Sequence, residues 1–257
     1  MNTTNYEVID AHCHLDFKNF NKDRDEVIQT ARDSGVINMI NSGVDMATNQ
    51  RTLELSRNYD FIYPTLGLSP NSLDHSNMTD DDVQATLDQI RNHSDEIIGV
   101  GESGLDYYWC TDLGGRKRQI DVFKKVIDLA KAVDLPLVIH ARQAEQDCLD
   151  MVKDLEKVIF HCYSGTADTM REALDHGFYI SLATIVCRSV QHQVLARQVP
   201  LDRLLIETDS PFLSPRKGRN EPSYVLDSVS LIARIKETSP EEVAKATTRN
   251  VRKIYGI

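Results

Sequence analysis

Residues 8–17 read VIDAHCHLDF, a short apolar run that leads into two histidines one residue apart. The run predicts a buried strand, in which alternate side chains share a face. His12 and His14 would then project together, about 6.6 Å apart along the chain. A divalent metal ion can accept nitrogens from both at about 2.0–2.1 Å. The alternative is a pair of histidines that only hydrogen-bond to backbone, so the choice depends on ligands elsewhere in the chain.

Outside this stretch, short apolar runs alternate with amphipathic helical patterns to the end of the chain. Most runs are continuously apolar, which is typical of parallel strands covered on both faces. The predicted strands are 7–11, 36–41, 61–67, 97–101, 135–140, 157–161, 178–183 and 203–208. Clear helical patterns cover 79–90 and 116–133. A last helix begins with Ser239 as its N-cap and Pro240 at N1, its first helical position.

Eight strand–helix units predict an α/β fold, a (β/α)8 TIM-like barrel that forms a single domain over residues 1–257. A doubly wound open sheet is the alternative. No glycine-rich dinucleotide turn follows the first strand, however, so the sequence gives no support to Rossmann chemistry.

Composition narrows the function classes. The 257 residues carry a formal net charge of −10, which argues against a nonspecific nucleic-acid coat but not against an enzyme that meets DNA locally. The five cysteines are scattered without a CxxC pair, as in reduced cytoplasmic proteins. We see no apolar run of the length a membrane span needs, no signal peptide, and no sign of an obligate protein partner.

Metal-competent side chains follow several of the predicted strands, where TIM-barrel active sites are built. Packing alone explains such a set poorly, because buried imidazoles and carboxylates need partners. Six ligands suit two divalent ions better than one tetrahedral zinc, and the central Glu102 is the predicted bridge. The predicted metal ligands are His12, His14, Glu102, His140, His161 and Asp209.

The motifs DAHCHLD, GESGLDYYW, VIHARQA, HCYSG, ETDSPFLSP and GRNEPSYV resemble, in order and spacing, the TatD family of metal-dependent deoxyribonucleases. That family belongs to the amidohydrolase-like superfamily. The resemblance spans residues 8 to about 225 and implies a TIM-like barrel that hydrolyses DNA phosphodiester bonds, with 3′–5′ exonuclease action as one form. It implies one ion on His12, His14 and Asp209, a second on His140 and His161, and Glu102 between them.

The chain departs from the family pattern at one turn. After the third strand the family usually has Gly-x-His-Pro, whereas this chain reads GLSP, with Ser69 in the place of the histidine. Because that histidine is not thought to be a main ligand, we expect the metal site to persist and DNA hydrolysis to be slow. His75, in the same loop, is a candidate substitute.

Roles for other residues follow from their chemistry. We expect Glu102 and Asp209 to be catalytic, Asp209 by orienting the attacking water or accepting its proton. Arg142 and Arg219 are candidate phosphate-binding residues, with surface salt bridges as the alternative. The aromatic run 107–109 can stack on unpaired bases or simply pack within its own loop.

Two other readings stay open on the sequence alone. The same metals can hydrolyse an amide, ester or lactone of a small molecule, and a non-catalytic metal-binding scaffold is a third class. Metal identity is also open among Mg, Mn and Zn, because imidazole ligands favour zinc or manganese whereas phosphoryl transfer commonly uses magnesium.

Overall fold

The computed structural model describes residues 6–75 and 78–257, and its centre is a sheet of eight parallel strands. Each strand pairs with the next in chain order. Because the neighbouring strands are parallel, the segment that connects each pair crosses over the outside of the sheet. The strands are β1 (Val8–Cys13), β2 (Val36–Ser42), β3 (Ile62–Leu66), β4 (Gly99–Asp106), β5 (Leu137–Arg142), β6 (Val158–Phe160), β7 (Tyr179–Ala183) and β8 (Leu204–Glu207).

The sheet closes through the segment that follows β8. Cys13 forms a parallel bridge with Ser210, and the His14 amide donates to the Ser210 carbonyl at 2.8 Å. The Asp209 amide donates to the His12 carbonyl at 3.0 Å. The predicted TIM-like barrel is therefore confirmed, and its seam joins two of the segments predicted to bind metal.

Helices surround the barrel, with short 3-10 segments at 18–20, 184–187, 201–203 and 222–224. The helices are α1 (Arg24–Asp33), α2 (Met46–Asn58), α3 (Pro70–His75), α4 (Asp80–Asn92), α5 (Leu113–Val133), α6 (Glu145–Val152), α7 (Ala167–Asp175), α8 (Val190–Gln198), α9 (Val225–Ile235) and α10 (Pro240–Tyr255). None of the helices in the described ranges has both the length and the apolar character to cross a membrane.

Helix starts follow the caps that the sequence encodes. Thr79 caps α4 in a reciprocal capping box with Asp82, and the Ser239 hydroxyl accepts from the Glu242 amide at the start of α10. The predicted helix 116–133 begins earlier, at Leu113, because the Asp112 carboxylate caps it. Substituting such a cap by alanine typically costs about 1 kcal/mol.

Strand β4 differs most from its predicted range of 97–101. It runs to Asp106, because residues 103–106 continue to pair with β5 after a register shift. Two glycines permit this close approach: a Cβ on Gly104 would lie 2.0 Å from the His140 carbonyl oxygen, and Gly101 has φ of 133°. Glu102 therefore lies within the strand, held against β5, rather than in a loop after it.

The apolar interior has two parts. One cluster fills the space between the strands and the surrounding helices, and a second lies inside the barrel. Val251 and Tyr255 of α10 belong to the inner cluster, and the Tyr255 ring lies 3.1 Å from where a Cβ on Gly99 would stand, at the start of β4. Helix α10 thus covers the amino-terminal end of the barrel, which leaves the opposite end for the polar residues.

Candidate metal centre and catalytic cavity

All six predicted ligands meet at the carboxyl end of the barrel, around the Glu102 carboxylate. Its Oε2 lies 3.0 Å from His12 Nε2, 3.4 Å from His14 Nε2 and 3.5 Å from His161 Nε2. Its Oε1 lies 3.5 Å from His140 Nδ1. Barrel closure thus brings histidines in or just after three strands, β1, β5 and β6, to a single carboxylate on β4.

Asp209 completes the cluster from the loop after β8. Its Oδ1 lies 3.5 Å from His14 Nε2 and 3.9 Å from His12 Nε2. It adopts a left-handed backbone conformation, with φ of 56°, which is uncommon for a residue other than glycine and costs on the order of 1 kcal/mol. The seam hydrogen bonds to β1 hold the residue in that conformation.

Three overlapping groups in this cluster have ligand atoms close enough for one cation, all within 4.8 Å of one another. They are His12, His14 and Glu102; Glu102, His140 and His161; and His12, His161 and Asp209. The first two groups share only Glu102, as expected of a bridging carboxylate. His161 occurs in two groups, so its assignment to one ion is less fixed than the family resemblance implies.

Three of the four imidazoles donate to an acceptor from their other nitrogen, and His12 Nδ1 lies 3.1 Å from the Ser42 hydroxyl. His14 Nδ1 donates to the Ser42 carbonyl at 2.8 Å, His140 Nε2 to Asp106 at 3.0 Å, and His161 Nδ1 to Glu207 at 3.3 Å. A carbonyl or carboxylate oxygen only accepts, so the proton must lie on that side of the ring. The other nitrogen of each neutral ring then turns its lone pair towards Glu102, as a metal ligand requires.

Charge in the cluster also favours cations. Four carboxylates, those of Glu102, Asp106, Glu207 and Asp209, contact the four imidazoles. Two divalent ions would balance their four negative charges, which supports the fit of this donor set to a metal centre. Without a metal, the imidazoles would have to carry protons to do so.

The pKa values of the protein alone reflect this imbalance. Burial lowers the pKa of His14, but hydrogen bonds to Asp209 and Glu102 raise it well above its ordinary value. Burial also opposes protonation of His161, yet Glu102 and Glu207 raise its pKa to about 9. Burial would raise the pKa of Glu102, whereas His161 and His12 hold it well below its usual range. Cations and protons therefore compete for the same nitrogens.

A cavity of about 490 Å³ opens onto the cluster, a volume within the range of small-molecule and nucleotide sites. His14, Glu102, His140, His161 and Asp209 all line it. Trp109 and Phe212, exposed at 58% and 49%, also line its wall. The centre is thus accessible to a ligand and has aromatic surface beside it.

Arg142 is the predicted substrate-binding residue that the structure brings to the cavity. It is exposed at the end of β5, and its guanidinium stacks 3.8 Å from the Tyr108 ring centroid and 5.7 Å from that of Trp109. Tyr107 instead packs against the core and donates to Asp147 at 2.8 Å. Within the aromatic run 107–109, Tyr108 and Trp109 are therefore placed to contact a ligand and Tyr107 is not.

Arg219 is not among the residues that line the cavity. Its guanidinium forms salt bridges with Asp23 at 2.7 Å and Glu221 at 3.1 Å, and it packs 4.3 Å from the centroid of the Phe20 ring. These contacts match the alternative of a surface salt bridge, and a phosphate contact from Arg219 stays a prediction. An arginine within hydrogen-bond distance of two carboxylates gains more from pairing with them than from facing solvent.

Ser69 lies beside the cluster, in a smaller cavity that His14 and Glu102 also line. Its side chain is 3% exposed, and its hydroxyl accepts from the Ser72 amide at 3.2 Å at the start of α3. The serine thus contributes to local structure near the site. The side chain of His75 lies outside the described part of the chain, so its suggested role stays a prediction.

Sequence reasoning missed the residues that orient the imidazoles: Ser42, Asp106 and Glu207. Two of them had a usable signal, because Asp106 follows Glu102 by four residues and Glu207 precedes Asp209 by two. A second carboxylate close to each predicted ligand was evidence for an orienting partner. Ser42 acts on His14 through its carbonyl and on His12 Nδ1 through its hydroxyl, at 3.1 Å, and a single serine in a strand signals neither contact.

Comparison with known proteins agrees with this geometry. The family model for TatD-related DNases matches residues 9–256. An uncharacterized metal-dependent hydrolase of Methanocaldococcus jannaschii is 40% identical over 248 residues, 96% of each chain. Human deoxyribonuclease TATDN3 is 32% identical over 258 residues, 96% of this chain and 94% of the human protein.

A solved structure extends the similarity to the whole fold. The crystal structure of a TatD homologue from Escherichia coli superimposes with a TM-score of 0.89 at 25% identity, covering 97% of this chain and 98% of that one. The match of the family model over nearly the full length, with the converged ligand set, settles the classification. The chain belongs to the TatD-related DNase family of metal-dependent hydrolases.

Proposed function

We propose that this chain hydrolyses phosphodiester bonds of DNA with two divalent metal ions held by His12, His14, Glu102, His140, His161 and Asp209. One observation carries the proposal: two ligand groups share a single carboxylate, that of Glu102. A carboxylate has two oxygens and can contact two cations, whereas an imidazole offers one nitrogen to a centre. Relatives named as deoxyribonucleases support DNA as the substrate.

When bound, two such ions lower the pKa of a coordinated water and stabilise the attacking and leaving oxygens of a displacement at phosphorus. The residues of the chain fix the geometry. His14, His140 and His161 each present an oriented lone pair, and Glu102 lies between them as a buried anion. Four imidazoles in the donor set favour zinc or manganese over magnesium.

Asp209 is the residue we assign to the attacking water. Its carboxylate is 13% exposed and lines the cavity, unlike the fully buried carboxylates of Asp106 and Glu207. Burial would raise the pKa of Asp209, but His14 and His161 lower it, so the group stays ionised and able to accept a proton. It can therefore orient water and act as general base.

Arg142 is the residue we assign to substrate contact. Its guanidinium stacks on Tyr108 at the rim and has no carboxylate partner within the described residues, so its donors can bind a phosphate. Trp109 beside it offers a face for a base.

The experiment is a panel of labelled single- and double-stranded DNA, RNA, a simple phosphodiester and N-acyl and lactone substrates, each with and without chelator. We expect metal-dependent cleavage of DNA, with removal of nucleotides from the 3′ end as the form to look for. Hydrolysis of only the amide or lactone would favour the small-molecule reading. A metal-loaded protein inactive on every substrate would favour a binding scaffold.

A further inference from the structure

A second depression adjoins the catalytic cavity on the side of the loop after β8. It has a volume of about 540 Å³, and Leu213 lines both it and the catalytic cavity. The remaining wall comes from Arg188, after the 184–187 segment, from Pro211 and from residues 214–218. The depression and the catalytic cavity are therefore neighbours at Leu213.

The depression is cationic although the chain is acidic. Arg188, Arg216 and Lys217 line it, and none of the described residues that line it is acidic. Arg216 donates to Asp227 at 2.8 and 3.0 Å, which offsets its charge. The exposed side chains of Arg188 and Lys217 have no hydrogen bond or ion pair to any described residue, so two positive charges remain on a chain of net charge −10.

A third cavity has the reverse net charge. It shares Arg142 and Ser164 with the catalytic cavity. Besides Arg142, the carboxylates of Glu145 and Asp147 and several uncharged residues line it, so its net charge is negative. Carboxylates repel phosphates, so a strand that extends beyond Arg142 meets more repulsion here than in the depression beside Leu213.

We propose that Arg188 and Lys217 bind backbone phosphates of the DNA strand next to the bond being cleaved. This inference rests on the proposed function and specifies it, because a small uncharged substrate would have no use for two unpaired cations beyond the metal cavity. The contacts are to phosphate, so they set affinity and the path of the strand rather than base preference.

The test measures binding of a short 5′-fluorescein-labelled single-stranded oligothymidylate. Fluorescence anisotropy gives the Kd at each of a series of salt concentrations. The variant is Arg188→Gln with Lys217→Gln. The matched control is Lys245→Gln with Arg249→Gln, the same charge change at exposed positions on α10. Metal content and thermal unfolding of each variant check that the fold and the centre are intact.

We expect Kd for the oligonucleotide at low salt to rise about tenfold in the Arg188/Lys217 variant, the scale of two exposed charge-assisted contacts. The slope of log Kd against log salt should become shallower by about 1.4, since each lost phosphate contact on a single strand is worth about 0.7. The α10 control should bind as the unsubstituted protein does.

Equal weakening in both variants, an unchanged salt slope, or no binding by the unsubstituted protein would overturn the proposal. Failure of the proposed function gives a different result. The oligonucleotide would then bind through Arg188 and Lys217, with the expected slope change, and no metal-loaded form would cleave it.

Discussion

Substituting Asp106 by asparagine tests whether the orientation of an imidazole supports the metal centre. Asp106 Oδ2 accepts from His140 Nε2 at 3.0 Å, while its Oδ1 accepts from the Tyr108 and Trp109 amides, each at 3.0 Å. Asparagine can keep the two backbone hydrogen bonds with its oxygen. Its NH₂ group then faces His140 and donates where the carboxylate accepted. The His140 proton is thereby moved to Nδ1, the atom that faces Glu102.

The size of the effect follows from that exchange. Nδ1 must carry a lone pair to bind a cation. Metal binding to the substituted protein therefore costs the free energy of moving the His140 proton back to Nε2. Removing such an outer partner of a ligand histidine costs 10- to 100-fold in metal affinity or activity. That range corresponds to about 1.4–2.8 kcal/mol. The fold should lose less, roughly 1 kcal/mol, because the loop hydrogen bonds persist.

The assay is a metal titration of chelator-stripped protein, with DNA cleavage measured on the same samples. Asp150→Asn is the matched control, since Asp150 is an exposed residue of α6 that pairs with Lys153. We expect the Asp106 variant to need 10- to 100-fold more metal for half-maximal activity, with the control unchanged. If the Asp106 variant binds metal as tightly as the unsubstituted protein and cleaves DNA as fast, the orienting role is wrong.

Further predictions concern the ligands and the Ser69 turn. Glu102→Ala should lose metal from both positions and nearly all activity, measured by elemental analysis; two ions retained in full would contradict the bridge. Asp209→Asn should keep the fold and much of the metal while kcat falls about 10²–10⁴-fold, and near-normal turnover would refute its role. Ser69→His should raise the rate of DNA cleavage with little change in metal content, and a silent substitution would remove this turn from the chemistry. Because the pKa values of His14 and His161 are raised, the latter to about 9, both are protonated at pH 7 without metal. Metal uptake at pH 7 should therefore release protons, and apparent affinity should rise with pH up to about 9, which calorimetry in buffers of different ionisation enthalpy checks.

The barrel and the convergence of its candidate ligands were predictable because both depend on local pattern. Continuous apolar runs identify parallel strands buried on both faces, and ligands that follow such strands must meet at one end of a barrel. His12, His140 and His161 were found in this way. The length of β4 was not, since the glycines on either side of Glu102 are typical of a turn. They serve here to let two strands approach closely, a tertiary effect that the local sequence does not encode.

The different surroundings of Arg142 and Arg219 show a second limit of prediction from sequence. Arg142 and Arg219 have the same side chain, the first just after a predicted strand and the second in the motif GRNEPSYV, so sequence reasoning treated them alike. What separates them is their neighbours in space: Arg219 meets Asp23, nearly two hundred residues earlier in the chain, whereas Arg142 meets only aromatic faces. The cations of the depression beside Leu213 were missed for the same reason.

The central claim is that DNA cleavage depends on two metal ions held around Glu102, and one titration tests it most directly. Chelator-stripped protein is supplied with increasing equivalents of manganese or zinc while cleavage of single-stranded DNA is followed. The account predicts no cleavage without metal and a rise that saturates at two equivalents per chain. Cleavage that survives full removal of metal, or that saturates at one equivalent, would contradict it.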